Sequence, residues 1–237
     1  EILLPYASNL SREPVPHINL SQYRQRLLSD LSQAEALLGE ADPLLDYSVN
    51  DIGTLTTGDF RPADNFVAFR TIRMNYYAVK ALQARAYLWF GDNVEAFEAA
   101  KTVIDAVNPD ESPKFDLGSA ADMAAGNFIL TSEHLCALHD FNLTDRYSSL
   151  FASGELYRGT SATFITSQLY GNTGTDIREA NLHELVVLPN GANRYILKKY
   201  KNSDPGSSFI SDYRRIPLLR LAEMYLIAVE AASAAEA

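Results

Sequence analysis

The chain has 237 residues, of which 47% are hydrophobic, and it carries a formal net charge of −10. Its apolar residues are enough for one large domain or two small ones, whereas the acidic balance argues against nucleic-acid binding, because phosphate recognition needs a basic face. The single cysteine excludes an internal disulfide, and no run approaches the ~18 apolar residues of a membrane-spanning helix.

The two ends of the sequence look like boundaries inside a longer protein. The chain opens with EILLPYASN, which lacks an initiator methionine and the basic and apolar regions of a signal peptide. It closes with EAASAAEA, directly after an apolar helical pattern. We therefore expect residues 1–237 to form a single domain that is incomplete at both ends.

Residues 18–108 are predicted to be mainly helical. The stretch SQYRQRLLSDLSQAEALLG, residues 21–39, predicts a helix with Ser21 as its N-cap and Gly39 as its C-terminal stop. Residues 40–63 are rich in turn-forming residues and predict a connection.

Two further helices are predicted to form an antiparallel hairpin. The first covers residues 65–91, with Asp64 as its N-cap, and the second ends at the Asn-Pro dipeptide of residues 108–109. Between them, Asp92 followed three residues later by Glu95 resembles a capping box. The length of this hairpin and its small residues resemble a tetratricopeptide unit of ~34 residues.

Helical periodicity fades over residues 109–215, which predicts an irregular excursion with short strands. Within it, ELVVL and RYILKKY flank the turn PNGAN and predict a small β-hairpin over residues 184–200. The last stretch predicts a helix over 216–233, with Pro217 in its first turn. Because its charged residues form one narrow stripe, we expect other elements, including a helix beyond Ala237, to cover its remaining sides.

No motif for catalysis or metal binding stands out. The segment EHLCALHD, residues 133–140, contains metal-ligand residue types, but its spacing fits no zinc site. We expect a half-buried strand or short helix there, with Cys136 as a free thiol. The segment GNTGTD, residues 171–176, lacks the Lys-Ser or Lys-Thr pair of a phosphate loop and predicts a surface turn. We predict no cofactor, no metal and no catalytic residue.

Aromatic residues suggest two different roles. Trp89 and Tyr87 lie at the end of a predicted helix, where we expect them to pack on the paired helix. Six others lie in the irregular region or the hairpin: Tyr157, Tyr170, Tyr195, Tyr200, Phe209 and Tyr213. Aromatics on loops suit the flat apolar faces of sugar rings, while amides bond the hydroxyls. Packing is the more frequent role of any single one, but we select Tyr157, Tyr170 and Asn172 as candidate ligand-binding residues.

Two long segments are similar to the signature segments of the SusD/RagB family. They are NYYAVKALQARAYLWFGDNVEAFEAAKTVID and RRIPLLRLAEMYLIAVEAA. Three shorter pieces also resemble the family in the right order: YRQRLLSDLSQAEALLGEADP matches a helix, SEHLCALHD a strand entry, and TDIRE an Asp-x-Arg turn. The resemblance runs from about Pro5 to Ala232.

The resemblance implies a fold and a function. Family members are nutrient-binding lipoproteins of the bacterial outer membrane, in which tetratricopeptide-like helical hairpins form an α-α superhelical scaffold and irregular loops carry the ligand site. They capture oligosaccharides or polysaccharides at the cell surface and deliver them to a TonB-dependent, SusC-like porin, without catalysis. The family's lipid-anchored N-terminal cysteine has no counterpart in this chain, so membrane attachment is implied by kinship alone.

Two other functions stay open. A helical-repeat adaptor for protein–protein interaction requires a groove lined by helix residues such as Arg70, Arg73 and Lys80. An α-helical carbohydrate-active enzyme requires two carboxylates in a cleft, about 5–9.5 Å apart. Glycan capture instead predicts an exposed cluster of aromatic and polar side chains within residues 140–213.

Overall fold

The computed structural model describes residues 3–9, 12–53, 69–201 and 214–235. The chain divides into two compact units, the first formed by residues 1–115 and 219–237 and the second by residues 116–218. Helices dominate, and the strands in the described ranges form three two-stranded sheets, so the predicted mainly α fold with irregular loops is confirmed. The single domain and the tetratricopeptide-like superhelix stay predictions.

The first unit begins with a strand pair that leads directly into a long helix. Strands β1 (Leu3–Pro5) and β2 (His17–Asn19) pair antiparallel, and helix α1 (Leu20–Ala41) starts at the next residue. Asn19 is its N-cap and forms a capping box with Gln22, in which each side chain bonds the other residue's backbone N–H.

The predicted ends of this helix are therefore wrong by one to two residues. Ser21 lies inside the first turn, because the Asn19 side chain already satisfies the free N–H groups at the helix start. Gly39 lies within the last turn, and the helix ends before Asp42, since Pro43 cannot continue it. A short 3-10 turn (Pro43–Leu45) and helix α2 (Val49–Gly53) follow.

Helices α3 (Tyr76–Phe90) and α4 (Asn93–Ile104) form the predicted hairpin. The predicted start at residue 65 is wrong: residues 69–75 form turns, and Asn75 caps α3 by accepting the Ala78 N–H at 2.8 Å. Asp64 and residues 65–68 lie outside the described residues. The connection turns at Gly91, whose φ of +81° favours glycine.

The predicted capping box at Asp92 is also wrong. Asp92 makes no side-chain hydrogen bond to the start of α4. Its carboxylate instead accepts two hydrogen bonds from Arg24 of α1, at 2.6 and 2.5 Å. The more favourable partner is the guanidinium, because a charge-assisted bond is stronger than a bond to a neutral backbone amide.

The last helix starts later than predicted. Residues Arg215–Arg220 form strand β6, which pairs with β3 (His134–His139), and helix α8 covers Leu221–Ala235. Pro217 therefore lies in a strand and not in a first helical turn. Local periodicity favours helix at these residues, but pairing with a strand distant in sequence overrides it.

Small side chains allow the helices of the first unit to pack closely. Helix α8 packs on α4 and α3, which are themselves paired. The side chains that are at most 2% exposed in these three helices are mainly alanine: Ala78, Ala81, Ala84, Ala96, Ala100, Leu221, Met224 and Ala231, with Val79 and Val103. One face of α8 stays open, since Leu226 and Val229 are about 70% exposed.

Four ion pairs connect elements of the first unit that are distant in sequence: Arg24–Asp92, Arg70–Asp42, Lys80–Glu35 and Arg85–Glu223. Asp42 is the most deeply buried partner. Its carboxylate accepts hydrogen bonds from Arg70 at 3.1 Å and from the backbone N–H groups of Leu44 and Tyr76 at 3.0 and 2.8 Å. For Glu35, burial acts to raise the pKa, but hydrogen bonds from Lys80 and Gln83 hold it below its usual value.

The second unit consists of short elements. In chain order they are α5 (Ala120–Ala124), β3, α6 (Leu143–Tyr147), two π-helical turns (Ser148–Ala152 and Phe164–Leu169), α7 (Ile177–Asn181), β4 (His183–Val187) and β5 (Asn193–Leu197). Strands β4 and β5 pair antiparallel, which confirms the predicted hairpin. Its turn includes Gly191, with a φ of +80°.

Of the strand or short helix predicted at residues 133–140, the structure has the strand, and its cysteine is free. Cys136 lies in β3 and is buried, and burial raises the pKa of its thiol. Among the described residues, no group of three or more His, Cys, Asp or Glu side chains is placed to hold a metal ion. The helices within these ranges are all too short or too polar to cross a lipid bilayer.

Candidate functional site

The candidate site lies beside the β4–β5 hairpin of the second unit. The segment that follows the first π-helical turn runs along β5, where the Arg158 N–H donates to the Tyr195 carbonyl at 2.7 Å and the Tyr195 N–H donates to the Gly159 carbonyl at 2.8 Å. These two bonds fix residues 157–159 against the strand. Loop side chains next to Arg158 are therefore presented from a rigid backbone.

A pocket of about 250 Å³ opens at this place. It is lined by Phe151, Leu156, Tyr157, Arg158 and Leu197. The Phe151 ring is held by stacking on buried Tyr147, with centroids 5.6 Å apart and planes inclined by 15°. The pocket thus combines an apolar wall with one cationic and one phenolic side chain, which is the usual composition of a small-molecule site.

Tyr157 is 46% exposed, and its ring carries a cation. The Arg194 guanidinium carbon lies 4.2 Å from the ring centroid, well within the range of a cation–π interaction. Gly154 lies beside this pair: it is buried with a φ of +78°, and a Cβ there would lie 2.8 Å from Leu188 and 3.6 Å from the Arg194 stem. The positive φ and the short distance to Leu188 therefore favour glycine at this position, while the Arg194 stem lies at ordinary contact distance.

Tyr170 lies at the end of the second π-helical turn and contacts two polar side chains. Its ring meets the His183 imidazole edge-on at 5.8 Å, and the Arg178 guanidinium lies 5.9 Å from its centroid. Arg178 is held by a bidentate pair with Asp176, the N-cap of α7. Burial raises the pKa of the Tyr170 hydroxyl, while the charges of Arg178 and Arg158 act to lower it.

Asn172 lies on an exposed turn immediately after Tyr170. Its φ of +56° is in the left-handed region, where asparagine is tolerated, and its N–H donates to the Thr166 carbonyl at 2.8 Å. The flanking Gly171 and Gly174 also have positive φ. This confirms the predicted surface turn at residues 171–176, which presents the Asn172 side chain to solvent.

Two of the three selected residues share one turn, and the third lies on a separate segment. The Thr173 N–H donates to the Tyr170 carbonyl, so Tyr170 and Asn172 belong to the same turn, whereas Tyr157 lies beside β5. The charge of Arg158, which follows Tyr157, acts to lower the pKa values of both Tyr170 and His183. The candidate residues therefore belong to two parts of the second unit and not to one continuous loop.

Sequence reasoning missed the cations of this site. Arg158 and Arg194 are absent from the selection, although RYILKKYK places four basic residues within eight positions of an acidic chain. This local charge run was the signal that could have found Arg194. Of the other loop aromatics, Tyr195 and Tyr200 are half-buried, and Phe209 and Tyr213 lie outside the described residues.

The predicted packing of Trp89 is wrong. Its side chain is 83% exposed, whereas Tyr87 is half-buried. The buried positions of α3 and α4 are mostly alanine, and Trp89 lies outside them.

Two of the three cations named for an adaptor groove are held in ion pairs. Arg70 pairs with Asp42 and Lys80 pairs with Glu35, and both cationic side chains are at most 14% exposed. Buried, paired cations contribute to the packing of the first unit and offer little surface to a partner. Arg73, the third, is exposed.

No family model matches the sequence, and no curated protein matches it significantly. A crystal structure of a SusD superfamily protein from Bacteroides thetaiotaomicron matches with a TM-score of 0.59 at 20% identity, covering 98% of this chain and 48% of that chain. A second, from Bacteroides vulgatus, matches with a TM-score of 0.54 at 21% identity, covering 92% of this chain and 43% of that chain.

This chain thus spans less than half the length of either matched protein. At these identities the likeness concerns the fold, and it extends over almost all of the present sequence. The residues that resemble the SusD/RagB signatures form α3, α4, β6 and α8 of this structure. The chain therefore shares the fold of the matched part of these two SusD superfamily structures.

Proposed function

We propose that this chain is a non-catalytic glycan-binding protein of the SusD type. The observation that carries the proposal is the shared fold with two SusD superfamily structures over at least 92% of this chain. The sequence resemblance of the α3–α4 hairpin and of the β6–α8 segment supports it independently. Carbohydrate or another nutrient of similar chemistry is the proposed ligand.

Tyr157, Tyr170 and Asn172 are the proposed ligand-binding residues. The Tyr157 ring is exposed beside an apolar pocket, where the C–H face of a sugar can pack on it. The side-chain amide of Asn172 has no hydrogen-bond partner among the described residues, so its donors and acceptor are available to sugar hydroxyls. Tyr170 adds a half-buried ring on the same turn.

The proposed location and partner follow from the likeness to SusD-type proteins. We place the protein at the outer surface of the bacterial outer membrane, attached through an N-terminal lipid anchor outside this chain. Its proposed partner is a TonB-dependent, SusC-like porin that receives the captured glycan. These assignments rest on the fold likeness and on no residue of this chain.

A glycan array followed by affinity electrophoresis tests the proposal. The wild-type chain should bind one class of glycan, and the double variant Tyr157→Ala/Tyr170→Ala should bind it about tenfold more weakly, because truncating a central aromatic removes one of the anchors of a binding site. Tyr225→Ala is the matched control, since Tyr225 is 42% exposed on α8 in the first unit. Thermal unfolding of all variants checks that the fold is kept.

The outcomes separate the function from the residues. Binding that weakens only in the double variant supports both. Binding that is equal in the wild type, the double variant and Tyr225→Ala keeps the function and removes Tyr157 and Tyr170 from the site. The absence of binding across the array contradicts glycan capture by this chain and favours testing the adaptor function next.

A further inference from the structure

We infer that the ligand of this site is an acidic glycan, whose carboxylate or sulfate groups are bound by Arg158 and Arg194 beside Tyr157. This inference rests on the proposed function, because it names the chemical class of the glycan. Three observations carry it: the ion-pair status of the cations, the geometry of Arg194, and the distribution of charge along the chain.

Three cations in this part of the second unit have no carboxylate partner among the described residues: Arg158, which lines the pocket, Arg194 and Lys198. By contrast, eight other Lys or Arg side chains in the described ranges form ion pairs. An unpaired guanidinium next to a pocket is a ready site for an oxyanion, since its planar fork matches carboxylate and sulfate geometry.

The Arg194 geometry leaves its donors available. Its guanidinium lies over the Tyr157 ring, and one N–H donates to the Asn193 carbonyl at 3.2 Å. A guanidinium carries five N–H donors. Since the described residues take one of them, the remaining four are available to an anion. A sugar packed near Tyr157 places a ring substituent close to these donors.

The charges of Arg158 and Lys198 both act on the half-buried His183 side chain. Burial lowers the pKa of His183, and the positive charges of Arg158 and Lys198 lower it further. Lys198 itself lies 4.5 Å from the Phe128 ring, and burial lowers its pKa. The Glu184 carboxylate also acts on Lys198, but its ion pair is with Lys201. Two positive charges, those of Arg158 and Lys198, therefore act on His183 at the start of β4.

The net charge of the chain is not spread evenly. Residues 116–218 contain eleven acidic and nine basic residues, whereas the first unit contains nineteen acidic and eleven basic residues. Most of the excess negative charge thus belongs to the first unit. An anionic ligand therefore meets less electrostatic repulsion at the second unit. Glu155, which directly precedes the pocket residue Leu156, is the acidic residue nearest to the pocket along the chain.

The test compares charged glycans with their neutral counterparts by isothermal titration calorimetry. One pair is an oligogalacturonide and its methyl ester, and the other is dextran sulfate and dextran; a mixed array of acidic and neutral glycans extends both. We expect at least one acidic probe to bind about tenfold more tightly than its neutral counterpart, with an affinity that falls as salt is added. The preferred pair distinguishes carboxylate from sulfate.

Two variants assign the effect to residues. Arg194→Gln and Arg158→Gln should each weaken acidic-glycan binding about tenfold, because each removes charge-assisted hydrogen bonds. Arg85→Gln, in the first unit, removes the same charge and should leave binding unchanged. Equal losses in all three variants contradict the site, since the effect is then one of net charge.

Failure of this inference is distinguishable from failure of the proposed function. Neutral glycans that bind as tightly as acidic ones overturn the inference and leave glycan capture intact. Acidic glycans that bind independently of both arginines also overturn it. No binding to any glycan, acidic or neutral, overturns the inference together with the proposed function.

Discussion

The two units use their charged side chains in different ways. In the first unit, four ion pairs join residues that are 28, 45, 68 and 138 positions apart and so connect separate segments of the chain. In the second, Arg178–Asp176 and Lys201–Glu184 join residues 2 and 17 positions apart, and Arg194, Lys198 and Arg214 lie 4.2–4.5 Å from the centroids of aromatic rings.

This difference separates stability from recognition. A cation that forms an ion pair between two distant segments stabilises the fold, and its removal lowers the free energy of unfolding. A cation on an exposed ring keeps most of its donors for solvent or a ligand. We therefore expect charge changes in the first unit to alter unfolding, and charge changes near the pocket of the second unit to alter binding.

The largest effect on stability is expected for Asp42→Asn in the first unit. The substitution leaves the Arg70 guanidinium, whose side chain is 12% exposed, without its charged partner. Breaking a buried ion pair by removing one partner costs about 3–5 kcal/mol. Urea unfolding followed by far-UV circular dichroism measures the change.

Glu223→Gln is the matched control for Asp42→Asn. It makes the same carboxylate-to-amide change in the Arg85–Glu223 pair. The Arg85 side chain is 44% exposed and the Glu223 side chain is 31% exposed. Exposed pairs contribute about 0–1 kcal/mol, so a small loss is expected. Equal losses for the two variants would show that burial does not determine how much these two ion pairs contribute to stability.

A smaller effect is expected from the titration of His183 in the second unit. Its pKa is lowered below 6.5, first by burial and then by Arg158 and Lys198, and Tyr170 packs against its ring. Below pH 6.5 the unfolded chain therefore binds more protons than the folded chain, and stability falls with decreasing pH. Because the site is half-buried, we expect a loss of about 1 kcal/mol or less.

Urea unfolding between pH 7 and 5 measures this loss, with His183→Asn as the comparison. The variant should show a shallower dependence on pH over this range. Carboxylates with lowered pKa values, such as Glu35 and Asp176, affect stability only at lower pH, because their ordinary pKa values are already 4.5 and 3.8. An unchanged slope in His183→Asn would contradict a role for this imidazole.

The smallest effect is expected for Trp89→Ala in the first unit. The side chain is 83% exposed, so its truncation should change the free energy of unfolding by less than about 0.5 kcal/mol. As Trp89 is the only tryptophan, acrylamide quenching of its fluorescence should be nearly as strong in the native chain as in urea. Strong protection from quenching would show that the indole is buried.

Local sequence patterns predicted most helices of the first unit but not their ends. The α3–α4 hairpin follows from apolar periodicity and from Gly91. The N-caps were misassigned because several polar residues near each helix start can accept the same N–H groups, and packing selects Asn19 and Asn75. Strand β6 was missed because its pairing with β3 is a long-range contact that no local period reveals.

The candidate site could be predicted only in part. Exposed loop aromatics such as Tyr157 can be found from their place in an irregular region. The position of Arg194 on the Tyr157 ring depends on the bridge between Gly159 and Tyr195 of β5, and this long-range contact has no sequence signature. A cation becomes part of a site through tertiary contacts, so composition alone did not select it.

The buried thiol of β3 has a practical consequence for measuring how this protein opens. Cys136 is the only cysteine of the chain and belongs to the second unit. A thiol reagent reaches it only when β3 is exposed, because both burial and the raised pKa suppress its reaction in the folded state. The labelling rate in excess reagent therefore reports the opening free energy around β3 separately from global unfolding.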